Sequence, residues 1–185
     1  MSSTRVTVLP SFLDTSACNN LLNVIEQIGY EDQYSGEGRL LRSRCHFEHK
    51  VWSNHLWELL FPHLPTPTTI YTDDFSPKPM PSVPLEDYQP EGLNPFLRCY
   101  RYGVDQQFRR HEDIAYEFDS HRRTFYTVLI YLNEGYVGGE TSFEGLVVKP
   151  ELGMLVMFPH ELPHEGRLIQ EGIKYTLRTD VVFAC

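Results

Sequence analysis

The stretch IKYTLRTDVVF, residues 173–183, decides the fold. It is rich in β-branched and aromatic residues and holds no glycine or proline, so it reads as one long strand. Side chains alternate along a strand with period 2, which sets Lys174, Thr176, Arg178 and Asp180 on one face and Tyr175, Leu177, Thr179 and Val181 on the other. The first face carries two cations. Cations that face a protein interior are costly unless anions meet them. Arg178 can be met by Asp180 or another acid. Lys174 then still needs an anion, and a dicarboxylate ligand would supply one.

Upstream of this closing strand the chain continues as strands. FLRCYRYG (96–103), QQFRRHED (106–113), TFYTVLIYLN (124–133), TSFEGLVVKP (141–150), GMLVMF (153–158) and LPHEGRLI (162–169) are separated by turn signals such as EGYVGGE. Seven or eight short strands in succession predict a sandwich or jelly roll. The N-terminal part differs. Residues 14–28, DTSACNNLLNVIEQI, place Ala17, Leu21, Leu22, Ile25 and Ile28 on one helical face, with Asp14 or Thr15 as cap and Gly29 after the end. Residues 51–61 predict a second helix capped by Ser53 or Asn54, and the polar stretch 30–50 between the helices carries a loop at SGEG. Residues 62–95 are rich in proline, which sustains neither a helix nor a central strand. Their aromatic and aliphatic residues predict a partly ordered loop packed on the domain, suited to a lid. The expected fold is mostly β with N-terminal helices: a double-stranded β-helix, or jelly roll, packed against helices. The organisation is a single domain over 1–185, with a helical support segment (1–61), a proline-rich loop or lid (62–95) and a jelly-roll core (96–185).

Composition sets bounds on function. With 185 residues, 41% hydrophobic and 22% charged, the chain has the make-up of a globular domain with a full core. No apolar run approaches the ~18 residues that span a bilayer, and MSSTRVTVLPSFLD lacks the pattern of a signal peptide. A cytoplasmic location without membrane association is the expectation, which does not exclude the nucleus. Cys18, Cys45, Cys99 and Cys185 form no C-x-x-C pair and read as reduced thiols. A net charge of −9 argues against broad nucleic-acid binding, although several arginines crowd residues 101–123.

His111 and Asp113 are two residues apart in RRHEDIAYEF (109–118), so on a strand they share a face, with Glu112 as the spacer. An imidazole and a carboxylate together suit Fe(II), Mn(II) or Zn(II). A jelly roll can bring a third ligand from a later strand, and FPHELPHEG (158–166) offers His160 and His164. His46, His49, His55, His63 and His121 carry no such spacing and are expected at the surface.

At this point the chain resembles the iron(II)/2-oxoglutarate dioxygenases, in particular their prolyl 4-hydroxylase-like branch. His111-x-Asp113, His164 and Lys174 follow the branch's ligand and cosubstrate pattern. RYGVDQQFRRHED, TVLIYLNEGYVGGETSF and VVKPELGMLVMFPHELPHEGRLIQEGIKY resemble its flanking segments, over roughly residues 93–183. The resemblance implies that His111, Asp113 and His164 hold Fe(II) and leave positions for 2-oxoglutarate and O2. It implies that Lys174 pairs with the far carboxylate of the cosubstrate, with Arg178 as the alternative. Tyr102 and Tyr131 are implied as pocket tyrosines, with Thr127 and Thr176 lining the same pocket. No catalytic residue beyond the metal ligands is implied. The cofactors would be Fe(II), 2-oxoglutarate and O2, with ascorbate as accessory reductant. Decarboxylation of 2-oxoglutarate to succinate and CO2 would drive hydroxylation of an unactivated C–H. Related halogenases lack the carboxylate ligand, so Asp113 favours hydroxylation. The substrate read most directly from the branch is a prolyl residue of a protein or peptide. A small-molecule oxygenase with the same core and a non-catalytic jelly-roll binding module are the alternatives. Nucleic acid is not expected as a partner.

Overall fold

A computed structural model describes residues 6–64 and 84–185. The expected lid over 62–95 therefore falls mostly outside the described residues. A short strand, β1 (Thr7–Leu9), precedes helix α1 (Thr15–Ile28), strands β2 (Glu31–Tyr34) and β3 (Leu40–Glu48), and helix α2 (Lys50–Leu60). The rest is β: β4 (Gln89–Leu93), β5 (Phe96–Tyr102), β6 (Phe108–His111), β7 (Arg122–Tyr131), β8 (Val137–Gly138), β9 (Thr141–Phe143), β10 (Leu146–Val148), β11 (Leu155–Pro159), β12 (His164–Gly166), β13 (Ile169–Glu171) and β14 (Lys174–Ala184). All the strand pairings are antiparallel.

A major sheet runs β1-β11-β7-β14-β5-β3-β2, with β4 also paired to β14, and a minor sheet runs β10-β9-β12-β6. β13 and β8 form a separate two-stranded pair. β14 sits at the centre of the major sheet, and its alternation separates two cores. On its outer face, Leu177 and Phe183 join Val128, Ile130, Leu155 and Met157 beneath the helices, which contribute Leu21, Ile25, Leu56 and Leu60. Burying each of these large aliphatic side chains contributes roughly 1.5–3 kcal/mol. Between the sheets, Tyr131, Val156 and Phe158 of the major sheet meet Phe143 and Val148 of the minor one. The alternate residues of β14, among them Lys174, Thr176 and Arg178, line a cavity on this inner side.

The N-terminal third departs from the sequence reading. The segment expected as helical support holds three strands besides its helices, because β2 and β3 occupy the polar stretch 31–48. β2 is an edge strand with three of its four residues exposed, so it has no apolar alternation to show. The last part of the proline-rich segment forms β4. This is possible because β4 pairs only with β14, so Pro90 and Gly92 interrupt no central ladder. In α1 the fully buried line is Cys18, Leu21 and Ile25, and Ile28 is half exposed in the last turn. Asp14 caps that helix, accepting from the Ala17 amide at 2.7 Å. The second helix starts earlier than expected: the His49 imidazole Nδ1 accepts from the Trp52 amide, and Ser53 lies inside the helix.

Candidate metal centre and its cavity

β6 and β12 pair side by side with His111 opposite His164. The register slips between them, so Phe108 to His111 on β6 spans what His164 to Gly166 spans on β12. This extra residue is a bulge. It lets Phe108 and His111, three apart, face the same interior, with their rings stacked at 3.7 Å. Asp113 lies just past the strand end, where its amide donates to the His160 carbonyl at 2.8 Å. The two-residue spacing thus does bring His111 and Asp113 together, through an anchored extended segment after the strand.

One ligand atom from each of His111, Asp113 and His164 lies within 4.8 Å of the others. His111 Nδ1 donates to the Arg109 carbonyl at 2.8 Å, and His164 Nδ1 donates to the Leu162 carbonyl at 2.9 Å. These bonds fix the tautomer and leave both Nε2 lone pairs free. The Nε2 atoms stand 3.8 and 3.7 Å from the Asp113 carboxylate oxygens. Burial lowers both imidazole pKa values, so the rings are neutral and these contacts are donor atoms facing a common point. Burial alone would raise the Asp113 carboxyl, but Arg178, then His164 and the Thr127 hydrogen bond, hold it below the usual range. Two neutral imidazoles and one anionic carboxylate suit a divalent transition metal with open positions.

A second layer fixes Asp113. Arg178 Nη1 lies 2.6 Å from Asp113 Oδ1, and Thr127 Oγ1 donates to Oδ2 at 2.6 Å. His160 is fully buried between Thr127 and Thr124, at 2.8 Å from each hydroxyl. Burial lowers its pKa to about 4. The neutral ring passes an ordered chain of hydrogen bonds from Thr124 through Thr127 to Asp113. Arg178 also reaches Asp180 at 3.3 Å, and Asp180 in turn pairs with Arg98. The guanidinium of Arg178 is therefore taken up by two acids of the protein itself.

Lys174 is different. It is 4% exposed, its Nζ donates to the Gly139 carbonyl at 2.5 Å, and among the described residues no ion pair engages it. Burial pulls its pKa down to about 7, against the opposing pull of Glu140. The rings of Tyr131 and Tyr102 lie 5.0 and 6.0 Å from Nζ. A Cβ on Gly139 would sit 3.1 Å from Lys174 Cδ and 2.5 Å from Ile169 Cδ1, so only glycine leaves room for the lysine stem. The buried Tyr136 hydroxyl, beside the same glycine, has no partner among the described residues.

The cavity has room for about 50 Å³ of water-sized space within a hollow of about 540 Å³ that opens to solvent. Its walls include His111, Asp113, His164, Lys174, Tyr102, Thr127, Thr176 and Arg178. Tyr131 stands behind this wall, its hydroxyl bonded to Thr141 Oγ1 at 2.7 Å. Thr141, Phe108, Leu129 and Phe158 also line the space, unforeseen from sequence. Parity along β7 would have found Leu129, two residues from Thr127. The strands carrying Lys174 and His164 are not neighbours, because β12 belongs to the minor sheet and β14 to the major. Their side chains reach the same cavity from separate sheets.

Residues 97–179 match the model of the 2OG-Fe(II) oxygenase superfamily. No curated protein sequence matches the chain. Among solved structures, the chain is similar to a viral collagen prolyl hydroxylase from Paramecium Bursaria Chlorella virus-1, in complex with 2-oxoglutarate. The identity is 17%, with 99% of this chain and 97% of that one covered, at a TM-score of 0.63. It is similar to a Pseudomonas putida prolyl-4-hydroxylase at 16% identity, over 97% and 92% of the chains, with a TM-score of 0.63. A prolyl hydroxylase from Trichoplax adhaerens, in complex with a hypoxia inducible factor peptide fragment, aligns at 14% identity over 97% and 84%, with a TM-score of 0.61. At these identities the structures establish a shared fold, and the family match adds the chemistry. The cavity-bearing part of the chain, residues 97–179, matches the 2OG-Fe(II) oxygenase superfamily, and together with the His111, Asp113 and His164 cluster this supports a 2-oxoglutarate-dependent dioxygenase with Fe(II), 2-oxoglutarate and O2 as its cofactors.

Proposed function

We propose that the protein hydroxylates a prolyl residue of a protein or peptide, with Fe(II) held by His111, Asp113 and His164. The observation that carries this reading is the convergence of two free Nε2 lone pairs and one carboxylate in a cavity that also holds the buried Lys174. Lys174, flanked by Tyr131 and Tyr102, receives the far carboxylate of 2-oxoglutarate, whose dianion supplies the charge that this interior lacks. Arg178 does not take that role, because it is engaged by Asp113 and Asp180. It holds the carboxylate ligand in orientation instead. Bound iron, 2-oxoglutarate and O2 together supply the oxidation: decarboxylation to succinate and CO2, with one oxygen atom inserted into a C–H bond of the substrate. Thr127, Thr176 and the aromatic wall shape a dry pocket beside it. The prolyl reading is supported by the three structural neighbours, each a prolyl hydroxylase by name.

The test is succinate formation from 2-oxoglutarate with Fe(II), ascorbate and O2, first without substrate. Slow turnover by the wild type, lost in His164→Ala, is the expected result. Equal succinate from both proteins would remove His164 from the metal site. Proline-containing peptides are then screened by mass spectrometry for the gain of one oxygen atom. Oxygen gained only by free amino acids would move the substrate to the small-molecule class.

A further inference from the structure

Next to the active-site cavity a second, larger hollow opens, with about 1430 Å³ of space continuous with solvent. One wall is the β2–β3 turn and the start of β3, residues 35–42, and the other is residues 105–111. His111 borders both hollows, so an occupant of this groove lies against a metal ligand. Arg42 lies 3.9 Å over the ring of Phe108, which stacks on His111 in turn, joining the groove floor to the metal site.

Two features of the groove identify an occupant. The first is backbone. Pairing of β3 with β5 begins at Ser43, so Leu40–Arg42 have no strand neighbour on that side among the described residues. β6, on the other wall, is the last strand of the minor sheet. Open strand edges accept an extended chain through main-chain hydrogen bonds. The second is charge. Arg39, Arg42, Arg109 and Arg110 line the groove against only Glu37 and Asp105. No acidic side chain of the described residues lies within ion-pair distance of any of these four arginines. Arg39 is held by the Asp105 carbonyl at 2.7 Å and Arg42 by the Gln33 amide oxygen at 2.8 Å, so both are fixed without being neutralised. Arg109 and Arg110 are exposed at the bulge of β6. This basic cluster stands out in a chain of net charge −9.

We propose that this groove binds an extended acidic peptide, with Asp or Glu side chains next to the residue to be oxidised. Arg39 on one wall and Arg110 on the other read those carboxylates. The inference rests on the peptide-hydroxylase reading above and specifies its substrate class. A single-stranded nucleic acid would also meet the arginines. It cannot pair with the strand edges, however, whereas an extended peptide can.

The experiment is fluorescence anisotropy with labelled peptides of repeated Glu-Pro, Gln-Pro and Lys-Pro, and oligothymidylate of matched length, against the wild type, Arg39→Glu and Arg110→Glu. The wild type is expected to bind Glu-Pro about tenfold more tightly than Gln-Pro and to bind Lys-Pro weakest, with the gap closing as salt is added. Each variant is expected to lose roughly three- to tenfold in Glu-Pro affinity and little in Gln-Pro affinity. The variants lie on opposite walls, so a folding defect in one, checked by circular dichroism, leaves the other as the test. Equal binding of the three peptides, or preference for Lys-Pro, overturns the acidic preference while the peptide reading stands. Tighter binding of oligothymidylate, weakened by the same variants, overturns it in favour of nucleic acid. Binding of none of the peptides, with substrate-free succinate formation intact, removes the peptide reading itself.

Discussion

At the scale of single residues the site is a contest between burial and charge, settled differently at each position. Asp113 is 4% exposed, yet it stays ionised because Arg178 and Thr127 reach it. Lys174 is equally buried, and among the described residues the Gly139 carbonyl is the hydrogen-bond partner of its ammonium. Its ordinary pKa of 10.5 falls to about 7. The sign follows from linkage. The folded protein binds fewer protons at Lys174 than the unfolded chain between about pH 7 and 10.5. The burial cost is therefore full below this window and relieved as pH rises through it. Under the proposed function ligand binding runs the other way, since the carboxylate proposed to sit there would pair with the protonated amine. The affinity of 2-oxoglutarate for the Mn(II)-loaded protein should fall as pH rises above about 7, by a factor approaching roughly ten per pH unit. Calorimetric titration across that range checks this, with Lys174→Met as the reference. The variant should bind far more weakly and lose the slope. A slope that survives in Lys174→Met would place the titrating group elsewhere.

At the scale of elements, the close approaches of backbone decide what can be substituted. Gly153 has φ +70° and links two parts of the fold. Its amide donates to the Tyr131 carbonyl, and its carbonyl accepts from Leu13, just ahead of α1. A Cβ there would lie 1.9 Å from the Leu13 carbonyl oxygen. Gly145 has a similar φ of +75° but nothing within 4 Å of a Cβ. Left-handed backbone costs a non-glycine residue roughly 1–2 kcal/mol, so Gly145→Ala should lose about that much. Gly153→Ala should lose about 3 kcal/mol or more, because α1 must also move off the sheet. Urea denaturation of the two variants measures the difference, and equal losses would mean that the Leu13 contact yields freely.

Elements also show what the sequence could and could not reveal. The run from residue 96 onward was legible because its strands alternate strongly, as in β14, where one face is apolar core and the other carries the cavity's charges. β2 and β4 were not legible. One is exposed on most of its length and the other holds Pro90 and Gly92, so neither displays the periodicity that burial imposes. The shared direction of His111 and Asp113 was readable from their spacing, but the bulge that turns Phe108 and His111 to one side was not, because a bulge belongs to the register of a pair and not to one strand. For the same reason the pairing of Arg178 with Asp113 escaped notice. It joins the central strand of one sheet to a segment beyond the edge of the other.

At the scale of the whole molecule the site is a joint between two sheets of unequal strength. The minor sheet is built from strands of three and four residues, with little ladder of its own. It carries both histidines of the candidate metal centre on neighbouring strands, while Asp113 is tied to Thr127 on β7 and Arg178 on β14 of the major sheet. A metal bridging the three therefore fastens the weaker sheet to the stronger. Binding to the native state alone stabilises by about 2.7 kcal/mol when the ligand stands at 100 times its dissociation constant. For a chain of this size that is a rise in melting temperature of roughly 5–10 °C. Mn(II) with 2-oxoglutarate should produce such a rise in the wild type and none in His164→Ala, and a chelator should reverse it. Hydrogen exchange separates the joint from general tightening: amides of β6 and β12 should slow markedly on ligand addition, while those at the centre of β7 and β14, buried and paired on both sides, should change little. Uniform slowing over both sheets would show instead that the two already open and close as one unit, and that the metal adds no connection between them.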